Sequence, residues 1–173
     1  MGNPTKKYSM RRLLSILVMT LLSASLHAQL KKVYDESIDP IEQIESAITT
    51  AKQSQRHVLC QVGGNWCPWC LKFADFVAKD EAIAKMLQDN YVYIHVNYTS
   101  LKDEKSRQVA ERLQNPGRFG FPVLVILDGK GKILHTQDSA MLEDGESYNK
   151  EMVLRFLKNW TPEACSNNWK LQK

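Results

Sequence analysis

The stretch Gly63-Gly64-Asn65-Trp66-Cys67-Pro68-Trp69-Cys70 constrains this chain more than any other. It closes the short apolar run His57–Val62 and precedes a segment with helical spacing, so the cysteine pair stands where a strand hands over to a helix. Pro68 falls one position inside that helix, where its missing N–H costs nothing. The first sulfur then lies among unpaired backbone N–H groups at the positive end of the helix dipole, which favours thiolate over thiol. Thiolate is the species that attacks disulfides, and this spacing lets the two sulfurs close a small ring. Redox chemistry of the pair is the first expectation. Two blander readings stand beside it. The pair could be half of a zinc site, but Cys60, Cys165, His57, His95 and His135 supply no second ligand pair at metal spacing. It could be a structural staple, but so short a separation removes little unfolded-state entropy.

The chain begins like a secretory leader. Lys6, Lys7, Arg11 and Arg12 form a basic region, Leu13 to Leu26 an apolar one, and small residues follow with a cut expected after Ala28. The apolar run falls short of the roughly 18–20 residues that a membrane span needs, so cleavage is favoured over an uncleaved N-terminal anchor. No stable membrane insertion is expected once residues 1–28 are removed. The leader also carries the whole charge imbalance. The chain is +4, and without those four basic residues residues 29–173 are net neutral. No basic patch interleaved with aromatics remains, so nothing points to a nucleic-acid partner. All four cysteines lie after the leader. Disulfides persist outside the cytosol, which suits a redox-active pair, and four cysteines are too few to build a disulfide scaffold.

The rest reads as one alternating α/β unit over residues 38–160, after a polar lead-in at 29–37 and before a tail at 161–173. Asp39-Pro40-Ile41-Glu42 is a helix start with a cap, a proline at the first position and an acid, followed by a stripe of Ile41, Ile44, Ile48 and Ala51. After the cysteine pair, Phe73, Phe76 and Val77 are expected inward, and Asp80-Glu81 restarts the helix before Ile83, Met86 and Leu87. Tyr91–Tyr98 reads as a strand alternating Val92, Ile94 and Val96 with polar positions. A polar helix is expected over about Lys102–Leu113, broken by Asn115-Pro116-Gly117. Val123–Leu127 and Lys132–Thr136, joined by a tight turn at Asp128–Gly131, read as an antiparallel hairpin. A closing helix is expected over Ser147–Trp160 with Met152, Phe156 and Trp160 on its buried stripe.

The order α-β-α-β-α-β-β-α, with Trp66-Cys67-Pro68-Trp69-Cys70 after the first strand and Phe121-Pro122 ahead of the hairpin, resembles the thioredoxin superfamily, and in particular its secreted bacterial members. The resemblance implies a thioredoxin fold, a central mixed β-sheet flanked by helices on both faces. It implies thiol–disulfide exchange on protein cysteines outside the cytoplasm, with reduction favoured over oxidation and a membrane or periplasmic redox partner. No metal or organic cofactor is needed, because the Cys67–Cys70 pair carries the electrons. Carried over residue by residue, Cys67 is the exposed nucleophile and Cys70 the resolving thiol. Trp66 packs over the site, and Pro122 is a cis-proline facing the disulfide. The Phe121 backbone offers strand-like hydrogen bonds to a bound peptide, and Trp69 an exposed aromatic contact.

Three positions depart from the family pattern. Pro68-Trp69 stands between the cysteines where thioredoxins have Gly-Pro. Gln61 stands six residues before the first cysteine, in place of a buried carboxylate, and an amide cannot take the resolving thiol's proton. His95 stands where that family has a strand lysine, and a histidine there could tune the site across neutral pH. Elsewhere Cys60 reads as an inert buried thiol, Cys165 as a tail residue, His57 and His135 as surface residues, and Glu143–Glu146 as a solvated loop. The reading of another class is a binding or folding-assistance module that grips protein through Trp69 and the Phe121-Pro122 surface, its disulfide mainly structural.

Overall fold

The computed structural model describes residues 30–166, so the expected leader, its cut after Ala28 and Trp169 of the tail lie outside the described residues. Helix α1 (Pro40–Ser54) starts where Asp39 accepts hydrogen bonds from the backbone N–H groups of Ile41 and Glu42, and it buries Ile44, Ala47, Ile48 and Ala51. Strand β1 (His57–Gly63) is buried throughout. Helices α2 (Pro68–Lys79) and α3 (Glu81–Asn90) meet at Asp80. Its backbone N–H closes the first helix on Phe76, and its carboxylate caps the second at Ala82 and Ile83. Strand β2 (Tyr91–Asn97), helix α4 (Glu104–Arg112), strands β3 (Val123–Leu127) and β4 (Ile133–Asp138), the short pair β5 (Glu143–Asp144) and β6 (Ser147–Tyr148), and helices α5 (Lys150–Asn159) and α6 (Pro162–Cys165) complete the order.

The main sheet runs β2-β1-β3-β4. β1 and β2 are parallel, and β3 is antiparallel to both of its neighbours. Side chains alternate along each strand, so each strand feeds two cores. Val58, Cys60, Val62, Val96, Val123, Val125 and Leu127 meet α1 and α4 on one face. Leu59, Tyr91, Leu124 and Ile126 meet α2, α3 and α5 on the other. This is the thioredoxin-like arrangement, a mixed sheet between two helical layers.

Several expectations change in detail. The closing helix begins at Lys150 rather than Ser147, because Ser147 and Tyr148 pair with Asp144 and Glu143, and the Asn149 side chain caps Met152 N at 3.1 Å. The expected loop Glu143–Glu146 is therefore the tip of a small hairpin. The buried stripe of α5 is Val153, Phe156 and Leu157, and Met152 points outward. α4 starts later than Lys102 because Asp103 holds Ser106 N. His57 is not a surface residue, and His135 is half-buried. His57 is buried with Nδ1 2.9 Å from the Trp160 carbonyl, and the His135 ring stacks on Trp160 at 4.5 Å. Tyr91, Tyr93 and His95 occupy the positions of β2 that alternate with Val92, Ile94 and Val96. They share the face of Leu59 and Gln61, beneath the helix that carries the cysteines.

Candidate active site

The site forms where β1 runs out. Gly63 is the last residue of β1, and its carbonyl accepts from Tyr98 N at 2.6 Å, so the chain leaves the sheet at this point. A Cβ on Gly63 would collide with Cys70 Sγ and come within 2.9 Å of the Tyr34 hydroxyl. A Cβ on Gly64 would collide with the Trp66 indole. Both glycines are thus required by close approach. Trp66 donates its Nε1–H to the Tyr98 carbonyl at 2.8 Å and stands edge-on to Phe121 at 5.4 Å.

Cys67 is itself the N-cap of α2. Its sulfur accepts from Cys70 N at 3.2 Å, and Pro68 occupies the first helical position. A thiolate at a helix N-terminus satisfies a donor that the helix leaves open. The two cysteines are reduced. The hydrogen bond between their side chains and the backbone N–H groups of Cys70 and Trp69 bring Cys67 down to about 7, against an opposing effect of burial. The same shared hydrogen bond, with burial, pushes Cys70 well above the ordinary thiol range. One sulfur therefore carries the charge and the other keeps the proton. The thiol form of Cys67 also points at the Phe121 carbonyl, 3.6 Å away. Phe121–Pro122 is a cis peptide, and Pro122 is buried.

Burial corrects one expectation here. Cys67 is 5 % exposed and Cys70 0 %, so the nucleophile candidate lies in the floor of the site instead of standing out from it. The two tryptophans are also exchanged in character. Trp66 is the open indole at 52 % exposure. Trp69 is half-buried, edge-on to Tyr148 at 5.4 Å and covered by Lys72 Nζ at 4.2 Å.

Beneath the cysteines lies a polar layer. Gln61 is fully buried; its Nε2 donates to the Tyr34 hydroxyl at 2.6 Å and to the Cys70 carbonyl at 2.8 Å, and its Oε1 accepts from the Tyr93 hydroxyl. His95 faces Gln61 across the β1–β2 register and packs its ring against Tyr34 and Tyr93. Burial lowers His95 to about 4, and its Nε2 has no hydrogen-bond partner among the described residues. It is therefore neutral at neutral pH, and the expected tuning across that range does not follow. Cys60, on the opposite face of β1, is buried and pushed up to about 12 by desolvation, consistent with an inert thiol.

Tyr34 and Asn65 were not visible as site residues. The lead-in is not merely polar, since Tyr34 is 4 % exposed and packs with Cys67 and Cys70. Asn65 holds it there. Its Oδ1 accepts from Val33 N and Tyr34 N, both at 3.1 Å, and its Nδ2 donates to the Tyr34 carbonyl at 2.7 Å. Asn65 immediately precedes Trp66-Cys67, a position that could have flagged it, whereas Tyr34 belongs to no periodic segment. Among the described residues no group of three or more His, Cys, Asp or Glu is placed to hold a metal ion. Among them also, no helix is long and apolar enough to cross a membrane.

Comparison with known proteins decides the family. The sequence profile described as Thioredoxin-like matches residues 39–129, over half of the chain. The chain belongs to the thioredoxin-like family. A disulphide isomerase from Xylella fastidiosa has the same fold, with a TM-score of 0.62 at 19 % identity over 75 % of this chain and 97 % of that one. In sequence, the thioredoxin-like chain is 27 % identical over 97 residues to Disulfide bond reductase DsbH of Chlamydia pneumoniae, covering 54 % of this chain and 58 % of that protein. It is also 30 % identical over 83 residues to an uncharacterized protein of Caenorhabditis elegans, covering 48 % and 11 %. The matches thus span less than two thirds of either curated relative.

The electrostatics of the thioredoxin-like pair give a direct expectation. Alkylation of Cys67 in the reduced protein, followed by peptide mass so that exposed Cys165 is counted separately, rises with pH through a midpoint near 7. Cys70→Ala removes the largest lowering influence and moves that midpoint up towards the ordinary thiol value. A wild-type midpoint at the ordinary value would contradict the assignment of charge to Cys67.

Proposed function

We propose that this chain is a thiol–disulfide oxidoreductase acting on protein cysteines outside the cytoplasm, and a reductase more than an oxidase. The observation that carries the reading is the asymmetric dithiol. Cys67 caps α2 with a depressed pKa, and Cys70 beside it retains its proton. In the reductive direction Cys67 thiolate attacks one sulfur of a substrate disulfide. A Cys67–substrate bond forms, and the other substrate sulfur leaves as thiolate. Cys70 then attacks Cys67 Sγ, the Cys67–Cys70 bond closes, and the second substrate sulfur leaves. The protein pair loses two electrons and the substrate gains them. The protons given up by the two cysteines balance those taken by the two substrate thiols. No metal or organic cofactor enters.

Exposed Trp66 and partly buried Phe121, with half-buried Trp69 and buried Pro122 beside them, are assigned to the substrate peptide, with the Phe121 carbonyl near Cys67 as an acceptor. The relative's name, Disulfide bond reductase, supports reduction as the direction. The leader-like segment 1–28 supports export, to the periplasm or beyond, with an N-terminal anchor as the alternative. A reductase in that compartment needs an upstream electron donor, which implies a membrane or periplasmic redox partner.

The near-complete burial of both sulfurs favours a second reading, a thioredoxin-like binding or folding-assistance module with a mainly structural disulfide. The depressed Cys67 pKa favours the enzyme. Equilibrating residues 29–173 against glutathione, with thiol trapping, separates the two. The expected potential lies well below the glutathione couple. A potential well above it would make the protein an oxidase or isomerase. A pair that never equilibrates would leave the module.

A further inference from the structure

Tyr34 packs against the two cysteines. Both the Tyr34 hydroxyl and Cys70 Sγ converge on the space a Gly63 side chain would occupy. Hydrogen-bond direction in this layer is fixed from outside. The Cys70 carbonyl can only accept, so the Gln61 atom 2.8 Å from it is the amide nitrogen. That nitrogen also lies 2.6 Å from the Tyr34 oxygen, which must therefore accept. Gln61 Oε1 is occupied by the Tyr93 hydroxyl. The Tyr34 hydroxyl proton is therefore not used by Gln61, and Cys70 Sγ borders the same gap at Gly63.

We propose that Tyr34 is a catalytic residue of the resolving step, its hydroxyl donating to Cys70 Sγ and stabilising the thiolate as it forms. The inference rests on the oxidoreductase reading and assigns a task within that site. The step is the one that closes the cycle. The bond between Cys67 Sγ and the substrate sulfur breaks while the Cys67–Cys70 bond forms. The Cys70 proton passes to solvent, and the departing thiolate takes one back. Tyr34 holds the sulfur's charge during this exchange and does not itself titrate. Burial keeps its hydroxyl protonated, so it serves as a donor and not as a base. In the reverse direction, when an incoming thiolate opens the oxidised pair at Cys67, the same hydrogen bond stabilises Cys70 as the leaving group.

Three side chains hold this geometry. Asn65 ties the backbone of residues 33 and 34 to the loop that carries the cysteines. Gln61 directs the hydroxyl, and Tyr93 directs Gln61. Tyr34 is thereby held with its ring against His95 at 5.4 Å and its oxygen at the Gly63 gap that Cys70 Sγ also borders.

The test uses reduced residues 29–173 with Cys165→Ser, and an aromatic disulfide that releases one coloured nitrothiobenzoate per sulfur attacked. Cys67 releases the first equivalent, and Cys70 releases the second as it closes the protein disulfide. Tyr34→Phe is expected to leave the first phase unchanged and to slow the second by about tenfold, the scale of a hydrogen bond to a charged group. The pH midpoint of the second phase moves upward with it. Fluorotyrosine at position 34, a stronger donor of nearly the same shape, is expected to accelerate the second phase. This variant keeps the test decisive if Tyr34→Phe fails to fold. An unchanged second phase in both variants, or both phases slowed alike, would overturn the proposal. A wild-type protein with no second phase would instead remove the oxidoreductase reading beneath it.

Discussion

Cys67→Ala is expected to abolish turnover of a protein disulfide, by about a thousandfold or more, because no other group supplies the attacking sulfur. Among the described cysteines, Cys60 is buried with a raised pKa and faces the other core, and Cys165 is exposed in α6, at the C-terminal end of the described chain. Cys70→Ala should behave differently. It keeps the nucleophile and loses the resolving thiol, so the protein stalls as a mixed disulfide with its substrate. That adduct is read on a non-reducing gel and disappears with dithiothreitol. The contrast between the two variants is the informative result. Turnover within a few-fold of wild type in Cys67→Ala would leave the pair no part in the chemistry.

Phe73→Ala should cause the largest loss of stability among changes close to the site. Phe73 lies one turn beyond Cys70 on α2, is 1 % exposed, and meets Tyr148 edge-on at 4.9 Å. It is the ring that fastens the cysteine-bearing helix to the sheet face of Leu59, Leu124 and Ile126. Truncating a buried phenylalanine costs about 3–5 kcal/mol, from lost burial and the cavity left behind. For a domain of this size that lowers the melting temperature by roughly 10 °C or more. Phe73→Leu, which refills most of the space, should recover much of it. Thermal and urea unfolding of the reduced protein would measure both. A melting temperature unchanged in Phe73→Ala would mean that α2 is held by something else.

Much of this molecule was legible where the physics is local. The continuous apolar run of β1, the cap-and-proline start at Asp39-Pro40, and the restart at Asp80 each depend on neighbours in sequence, and each stands where expected. The resemblance placed Cys67, Cys70 and Pro122 together, and the fold does bring the Phe121 carbonyl to the Cys67 sulfur. What could not be read depends on distant partners. Tyr34 reaches Gln61 across 27 positions, and nothing in a polar lead-in announces that one ring will be drawn under the cysteines. Tyr93 was read only as one of the polar positions alternating along its strand, because a polar side chain looks the same whether it meets water or a buried amide. The exposure of Trp69 was misjudged for a similar reason. Its cover, Tyr148, lies on β6, a two-residue strand whose pairing with β5 was absorbed into the expected helix. His57 and His135 were missed because Trp160, which holds both, lies at the end of α5.

The Asn65 clamp has a bearing on where the working unit begins. Among the described residues the first regular element is α1 at Pro40, and a version trimmed to that point would retain every strand and helix described. It would lose Tyr34, leave the Asn65 amide without its three backbone hydrogen bonds, and open the floor beneath Cys70 to water. Such a shortened protein could pass every test of foldedness and still have a differently poised thiol pair. The functional N-terminus is set by side-chain wiring, several residues ahead of the first regular element.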